Sequence, residues 1–246
     1  MRAVEERLPG LLDELDLDFV VANGENAADG VGITPKLADR LLASGVDVIT
    51  LGNHVWRRKE IAPYLSGADR IVRPANLSGS SPGRGWTVAA ARDGTKVAVV
   101  NLLGDLFMAP AVGPFEMVDE LVEEARRETP VVLVDFHGEA TSEKVALAIH
   151  LDGKVTAVFG THTHVQTNDA RVLPGGTAAV TDVGMTGPHD SVIGVQTELA
   201  IRRMRTGMPV RFETASTGVR LEGAVVTCDP ATGRASAIEP VRVPWP

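Results

Sequence analysis

The segment 160–167, GTHTHVQT, sets two histidines at i and i+2 directly after a short apolar stretch, Val155 to Phe159. Histidine is scarce, six in 246 residues, and a strand end or tight loop can turn two such imidazoles onto one ion. Other segments carry donors of the same kind: Glu25 with Asn26, Asn53 with His54, and His137. Imidazole nitrogen combined with carboxylate and amide oxygen suits Fe, Mn, Zn or Co better than Mg or Ca. Two such ions about 3.5–4 Å apart would activate a hydroxide and brace an in-line phosphoryl displacement. Each piece alone has a plainer account. A histidine after a strand is ordinarily a loop residue, Asn-His caps turns, and Glu25 could cap a loop. Their joint occurrence is what favours a metal.

Such a site needs elements that bring the pieces to one edge. Leu17–Ala22 and Val46–Leu51 are short apolar runs of the buried parallel-strand kind, delivering Glu25-Asn26 and Asn53-His54. Val131–Phe136 leads into His137, and 155–159 into His162 and His164. Helices are expected over 3–16, from Thr34-Pro35 to about Ser44, over 57–65, 115–128 and 142–150. Trp86–Ala91 and Lys96–Leu102 flank an Asp-Gly turn and predict a hairpin. Ile71–Asn76 reads as a short extended piece. This βα rhythm gathers strand ends at one sheet edge. Beyond Thr177 it changes. Ala178–Thr181 is a short strand and a Gly-rich loop runs to His189. Residues 191–204 are open between helix and strand. Val210–Ala215, Val219–Cys228 and Ala235–Val243 predict strands of a second sheet packed on the first, with Pro244-Trp245-Pro246 as a tail. No linker, repeat or low-complexity tract divides the chain, so 1–246 is expected to be one domain.

Composition bounds the function. Apolar residues are 44% and charged residues 23%, ordinary for a soluble globular chain. The net charge of −8 argues against stable nucleic-acid binding. One cysteine, Cys228, excludes an intrachain disulfide and a Cys-rich zinc site, and reads as a small buried apolar residue. No apolar run is long enough to span a membrane and no secretory leader opens the chain, so a cytoplasmic enzyme is expected. A homo-oligomer is left open. His150, near a helix end, needs no chemistry; His189 sits in a loop that could reach substrate or simply face solvent. Trp56 reads as a packing anchor rather than a base-stacking platform; Lys144, Arg73 and Asn76 could contact phosphate or base, but a solvated surface role is the plainer reading of each.

Several stretches together resemble the calcineurin-like metallophosphoesterases, and within them the YmdB-like branch of 2',3'-cyclic nucleotide phosphodiesterases. They are Asn23-Gly24-Glu25-Asn26, Gly52-Asn53-His54-Val55-Trp56, the block from Asp135 to Lys144, Gly160-Thr161-His162-Thr163-His164, Gly184 to Pro188 and Asp190-Ser191-Val192. The resemblance implies two packed mixed β-sheets flanked by helices, an α-β-β-α sandwich. It implies two divalent ions, Fe or Mn ahead of Zn, bridged by Glu25. Asn53, His137 and His162 would complete one ion's ligands, His164 would hold the other, and Asn26 would lie beside them and bind metal or substrate. His54 would face the scissile phosphate, stabilising the transition state or protonating the leaving oxygen. The implied reaction is hydrolysis of 2',3'-cyclic nucleotides to nucleoside monophosphates by a metal-activated hydroxide.

The family opens on a strand leading to Gly-Asp, whose aspartate is a ligand of the ion held by His164. Here Met1-Arg2-Ala3 falls where the first helix is already under way, so that strand and its loop are missing from 1–246. Either the natural start lies upstream or the chain is shortened, in which case one ion is expected to be weak or absent. Two other functions follow as alternatives: a phosphomonoesterase or other phosphoesterase of the same fold, and a regulatory or RNA-associated protein with impaired catalysis.

Overall fold

A computed structural model describes Met1–Pro246. Helix α1 (Arg2–Glu14) opens the chain and continues through Pro9. Then follow β1 (Val21–Asn23), α2 (Pro35–Ala43), β2 (Val48–Thr50), α3 (Ile61–Gly67), β3 (Ile71–Val72), β4 (Trp86–Ala90) and β5 (Lys96–Leu103). The middle comprises α4 (Pro114–Glu128), β6 (Val132–His137), α5 (Thr141–His150) and β7 (Ala157–Thr161). The last part is β8 (Arg171–Val172), β9 (Ala178–Val180), β10 (Gly187–Pro188), α6 (Thr197–Thr206), β11 (Val219–Cys228) and β12 (Ala235–Pro244).

Hydrogen bonding defines three sheets where two were expected. One is parallel, β1-β2-β3; one is mixed and six-stranded, β4-β5-β6-β7-β9-β8; one is antiparallel, β10-β11-β12. Side-chain alternation shows how they stack. On β5, Ala98, Val100 and Leu102 join α4 and α5 residues in the largest core cluster. Val97 and Val99, on the opposite face, meet Val48 of β2 and Val72 of β3, with Cys228 of β11 packed alongside. Ala235 of β12 packs on Ala157 and Ala178. The two small sheets thus share one layer against one face of the large sheet. Ile49 and Leu51 point outward to Leu8, Leu41 and Leu65 of α1, α2 and α3. The outcome is the expected α-β-β-α sandwich, with the inner β layer divided in two.

Local chemistry sets the boundaries. Thr34 caps α2 by accepting from the Leu37 N–H at 3.3 Å, and Pro35 occupies the first turn. Asp93 accepts from the Thr95 N–H at 2.8 Å and closes the β4–β5 hairpin. Three expectations need correction. Val210–Ala215 forms no strand and touches Val195 only through an isolated bridge at Thr214. Residues 191–196 are loop, and the helix starts at Thr197. Pro244 lies in β12 and Trp245 is no free tail: its backbone N–H reaches Val219 O at 2.9 Å and its indole Nε1 donates to Glu6 of α1 at 3.1 Å. No helix is long and apolar enough to cross a membrane.

Candidate metal centre

Two parallel pairs, β1-β2 and β6-β7, lie in two stacked sheets, and their ends deliver the donors. β1 ends at Asn23, two residues before Glu25; β2 at Thr50, three before Asn53; β6 at His137; β7 at Thr161, just before His162. In-register pairing of His137 with Thr161 fixes the height of the last two ends. All seven residues singled out from the sequence, Glu25, Asn26, Asn53, His54, His137, His162 and His164, form one connected cluster.

The contacts run through it in sequence. Glu25, 1% exposed, places Oε2 2.5 Å from His137 Nε2 and Oε1 2.8 Å from His54 Nδ1. The His54 backbone N–H also donates to Oε1, at 2.9 Å. Asn53 Oδ1 lies 3.0 Å from His137 Nε2, and His162 Nδ1 lies 3.2 Å from the same nitrogen. Asn26 bridges to the rest, with Oδ1 3.0 Å from His54 Nδ1 and Nδ2 donating to His164 Nε2 at 3.1 Å. Burial opposes the charge of Glu25; hydrogen bonds and charge from His137 and His54 lower its pKa only in the state in which those rings carry protons toward it. Burial and the neighbouring His137 push the His162 imidazole down, against Glu25 and Glu139.

Protons can be assigned within this cluster. Asn23 Oδ1 accepts the Glu25 N–H at 3.1 Å, which turns its amide nitrogen toward Asp135 Oδ2 at 3.0 Å. The hydroxyls of Thr50 and Thr161 donate to the same carboxylate at 2.5 and 2.7 Å. With its proton so committed, Thr161 accepts from His137 Nδ1 at 2.9 Å. The outer nitrogen of His162, Nε2, donates to Glu139 at 2.9 Å. Both imidazoles therefore present unprotonated inner nitrogens to one another, to Asn53 Oδ1 and to Glu25 Oε2. Glu25 Oε2 is buried and has no hydrogen-bond partner.

Four lone-pair donors facing one another are mutually repulsive unless a cation lies among them, so the residues fit a divalent metal. Outer N–H groups anchored on a hydroxyl and a carboxylate are the usual supports of metal-bound histidine. No three of the His, Asp and Glu groups already surround one point at ligand geometry; their donor atoms touch one another directly. Gly52 is part of the cradle, since a Cβ there would collide with Glu25 Oε2 and His137 Nε2.

The loop bearing the His pair is strained. His162 and His164 adopt positive φ, 100° and 65°, uncommon for residues with a side chain. Thr163 between them is clamped: its N–H and hydroxyl donate to Asp182 Oδ2 at 3.0 and 2.7 Å. Lys144 Nζ reaches the same oxygen at 2.9 Å, and both partners are buried.

Lys144 is therefore not the solvated residue expected from the sequence. Arg73 and Asn76 are not surface residues either. Arg73 donates to the carbonyls of Pro74, Ser81 and Pro82, and Asn76 to those of Leu103 and Val112. Trp56 is exposed while its neighbour Val55 does the packing. Cys228 is half-buried, its thiol pushed up by burial and by Asp229 and Asp18. His150 pairs with Asp119 at 2.9 Å, away from the cluster. His189 lies beside Glu222 in an adjoining cavity that His164 also lines.

The chain as a whole is similar to known proteins. A family model described as YmdB-like protein matches residues 1–241. The chain is 47% identical over 240 residues to a 2',3'-cyclic-nucleotide 2'-phosphodiesterase of Bacillus subtilis, covering 98% of this chain and 90% of that protein. The solved structure of a hypothetical protein from Thermus thermophilus superposes with a TM-score of 0.92 at 42% identity, over 100% of this chain and 94% of that one. A structure of a novel phosphatase from Mycoplasma pneumoniae gives 0.90 at 36% identity, over 99% and 88%. A match that runs nearly end to end in sequence and in fold leaves one conclusion: the chain belongs to the YmdB-like family.

Proposed function

We propose that this chain hydrolyses phosphodiesters of the 2',3'-cyclic nucleotide class at a divalent-metal centre. Family membership makes it a phosphate-ester hydrolase; the substrate class follows the name carried by the Bacillus subtilis relative. Glu25, Asn53, His137 and His162 would hold one ion, and Glu25, His164 and Asn26 a second. The observation that carries this reading is the convergence of His137 Nε2 and His162 Nδ1, 3.2 Å apart, on Asn53 Oδ1 and Glu25 Oε2.

When bound, divalent ions supply charge neutralisation and a nucleophile at neutral pH. The chain's own groups do the rest. Glu25 is anchored through Oε1 by the His54 N–H at 2.9 Å. His54 Nδ1 is occupied by Asn26 and Glu25, so Nε2 is the nitrogen left for substrate. Its role there is to pass a proton to the departing ribose oxygen or to stabilise the charge on phosphorus. The product would be a nucleoside monophosphate with the phosphate left on O3', as the relative's name describes.

The test is to load the chain with Mn²⁺ or Fe²⁺, measure bound metal, and assay adenosine 2',3'-cyclic phosphate beside a phosphomonoester. Metal uptake with diester hydrolysis is expected, and His137→Ala should lose both. Preference for the monoester would make the chain a phosphomonoesterase. Metal uptake without turnover would support the regulatory alternative, and full activity in His137→Ala would refute the metal assignment.

A further inference from the structure

Next to His164 lies a cavity of about 200 Å³ whose far wall is built from Met185, His189, Arg220, Glu222 and Arg242. The Glu222 side chain is 1% exposed. Its Oε1 is held by Arg220 Nε at 2.8 Å and Arg242 Nε at 3.1 Å, and its Oε2 lies 3.2 Å from His189 Nε2. The arrangement follows from strand geometry. Arg220 and Glu222 share one face of β11, and Arg242 of β12 stands directly across from Glu222.

Two features set this cluster apart from a structural ion pair. Glu222 is the only acid lining the cavity, and one guanidinium would neutralise it; the second leaves an excess positive charge. Both arginines also meet Glu222 through Nε. Arg242 spends Nη2 on Gln166 Oε1 at 3.2 Å, while both terminal nitrogens of Arg220 and Nη1 of Arg242 make no hydrogen bond to the protein. The free terminal nitrogens of Arg220, together with Nη1 of Arg242, suit an anion with several oxygens, above all phosphate. The wall is fixed in place. Gln166 Nε2 donates to Gly223 O and Val241 O, both at 2.9 Å, tying the two strands together. Gly184, at φ 85°, packs its backbone where a Cβ would strike Glu222.

We propose that Arg220 and Arg242 bind a second phosphate of the substrate, one carried on O5' of the nucleoside whose cyclic phosphate is cleaved. This rests on the diesterase reading above. In a 2',3'-cyclic nucleotide both secondary ribose oxygens are occupied, so O5' is the remaining ribose attachment point. The cavity is smaller than the roughly 300 Å³ at the lower end of pockets that enclose a drug-sized ligand, so it suits a phosphate rather than a whole nucleoside. The preferred substrate is then a nucleoside 2',3'-cyclic phosphate bearing a 5'-phosphate, supplied as a free 5'-phosphate or as the last internucleotide link of an RNA 3' end. The class of reaction that would produce the latter is RNA cleavage by attack of a ribose 2'-OH.

The test compares three substrates on the Mn²⁺-loaded chain: adenosine 2',3'-cyclic phosphate, its 5'-phosphorylated form, and the dinucleotide ApA ending in a 2',3'-cyclic phosphate. At least one phosphate-extended substrate should exceed the first in kcat/KM by about tenfold, as a charge-assisted contact implies. The two extended forms separate a free 5'-phosphate from an internucleotide link. Arg220→Gln and Arg242→Gln should each reduce that preference to about threefold or less, chiefly through KM, on the same energy scale. Equal kcat/KM on all three, or a preference that survives in both variants, overturns the subsite and leaves the diesterase reading standing. Hydrolysis of none of the three overturns the diesterase reading instead. Calorimetry then judges the subsite by itself: adenosine 3',5'-bisphosphate should bind the unaltered chain about tenfold more tightly than adenosine 3'-phosphate, and equal affinities would dispose of it.

Discussion

His137 Nδ1 lies 2.9 Å from Thr161 Oγ1, and the two residues sit opposite one another at the ends of β6 and β7. The threonine hydroxyl is spent on Asp135 at 2.7 Å, so its oxygen accepts the imidazole proton and His137 is left with a bare Nε2. Thr161→Val keeps the shape and removes the acceptor. The tautomer should become mixed and metal affinity should fall about 10–100-fold, the usual loss when a support of a metal-bound histidine is removed. Thr161→Ser should restore it. ¹⁵N shifts of His137 in the metal-free chain give a readout independent of activity: Nδ1 should carry the proton in the parent and lose its preference in the valine variant. An unchanged tautomer in Thr161→Val would show that the hydroxyl does not orient the ring.

The buried pair Lys144–Asp182 ties this centre to the fold. Asp182 Oδ2 accepts from Lys144 Nζ and from both polar groups of Thr163, the residue between two histidines at positive φ. Lys144→Met leaves a buried carboxylate short of its countercharge, a change that costs about 3–5 kcal/mol. For a chain of this size that corresponds to a fall in Tm on the order of 10 °C. Metal affinity should fall as well, because the strained His162–His164 loop loses part of its anchor. A Tm within about 2 °C of the parent would mean that Thr163 and the Gly184 N–H, which donates to Asp182 Oδ1 at 2.9 Å, satisfy the carboxylate alone.

The donors were legible in the sequence because they follow apolar runs, and a parallel sheet collects strand ends at one edge. What supports them was not. Asp135 could have been noticed as the lone charge inside an otherwise apolar strand, but its partners Asn23, Thr50 and Thr161 lie on three other strands and only the sheet stacking unites them. Glu139 and Asp182 gave no signal, since a carboxylate in a loop is ordinarily solvated. Lys144, Arg73 and Asn76 were misread for the same reason: burial of a polar side chain depends on partners distant in the chain. Val210–Ala215 has strand-like composition, yet Pro209 precedes it and only Thr214 finds a bridge partner. The divided inner layer was also invisible, because alternation marks the faces of a strand but does not name its neighbour.

Tyr64, the single tyrosine, gives a clean probe of the α2–α3 contact. Burial, the hydrogen bond from its hydroxyl to Asp39 Oδ1 at 2.6 Å, and the charge of Asp39 push its pKa up to about 12. The folded state therefore keeps a proton that the unfolded chain releases near its ordinary value of about 10. Stability from this group is complete below that value and is lost as pH rises toward 12. Tyrosinate absorbance should titrate late in the parent and earlier in Asp39→Asn. Coincident titrations in the two proteins would remove Asp39 as a cause.

His54 separates binding from turnover. Its backbone N–H anchors Glu25 Oε1 at 2.9 Å independently of the side-chain Nδ1, which lies 2.8 Å from the same oxygen. His54→Ala keeps that anchor, and the inner face formed by Asn53, His137, His162 and Glu25 Oε2 does not involve the imidazole. Metal content should therefore stay at the parent level. The side chain stands at the solvent side of the cluster, held through Nδ1 by Asn26 and Glu25 with Nε2 left over. Losing it should lower kcat about 10²–10⁴-fold, the range for a positioned acid or base. A diester whose leaving group needs no protonation, such as a nitrophenolate, should regain most of the rate if His54 acts as the acid. An equal loss on both esters would assign it instead to charge stabilisation on phosphorus. Loss of metal along with turnover would make it a support of Glu25 and Asn26 rather than a group that meets substrate.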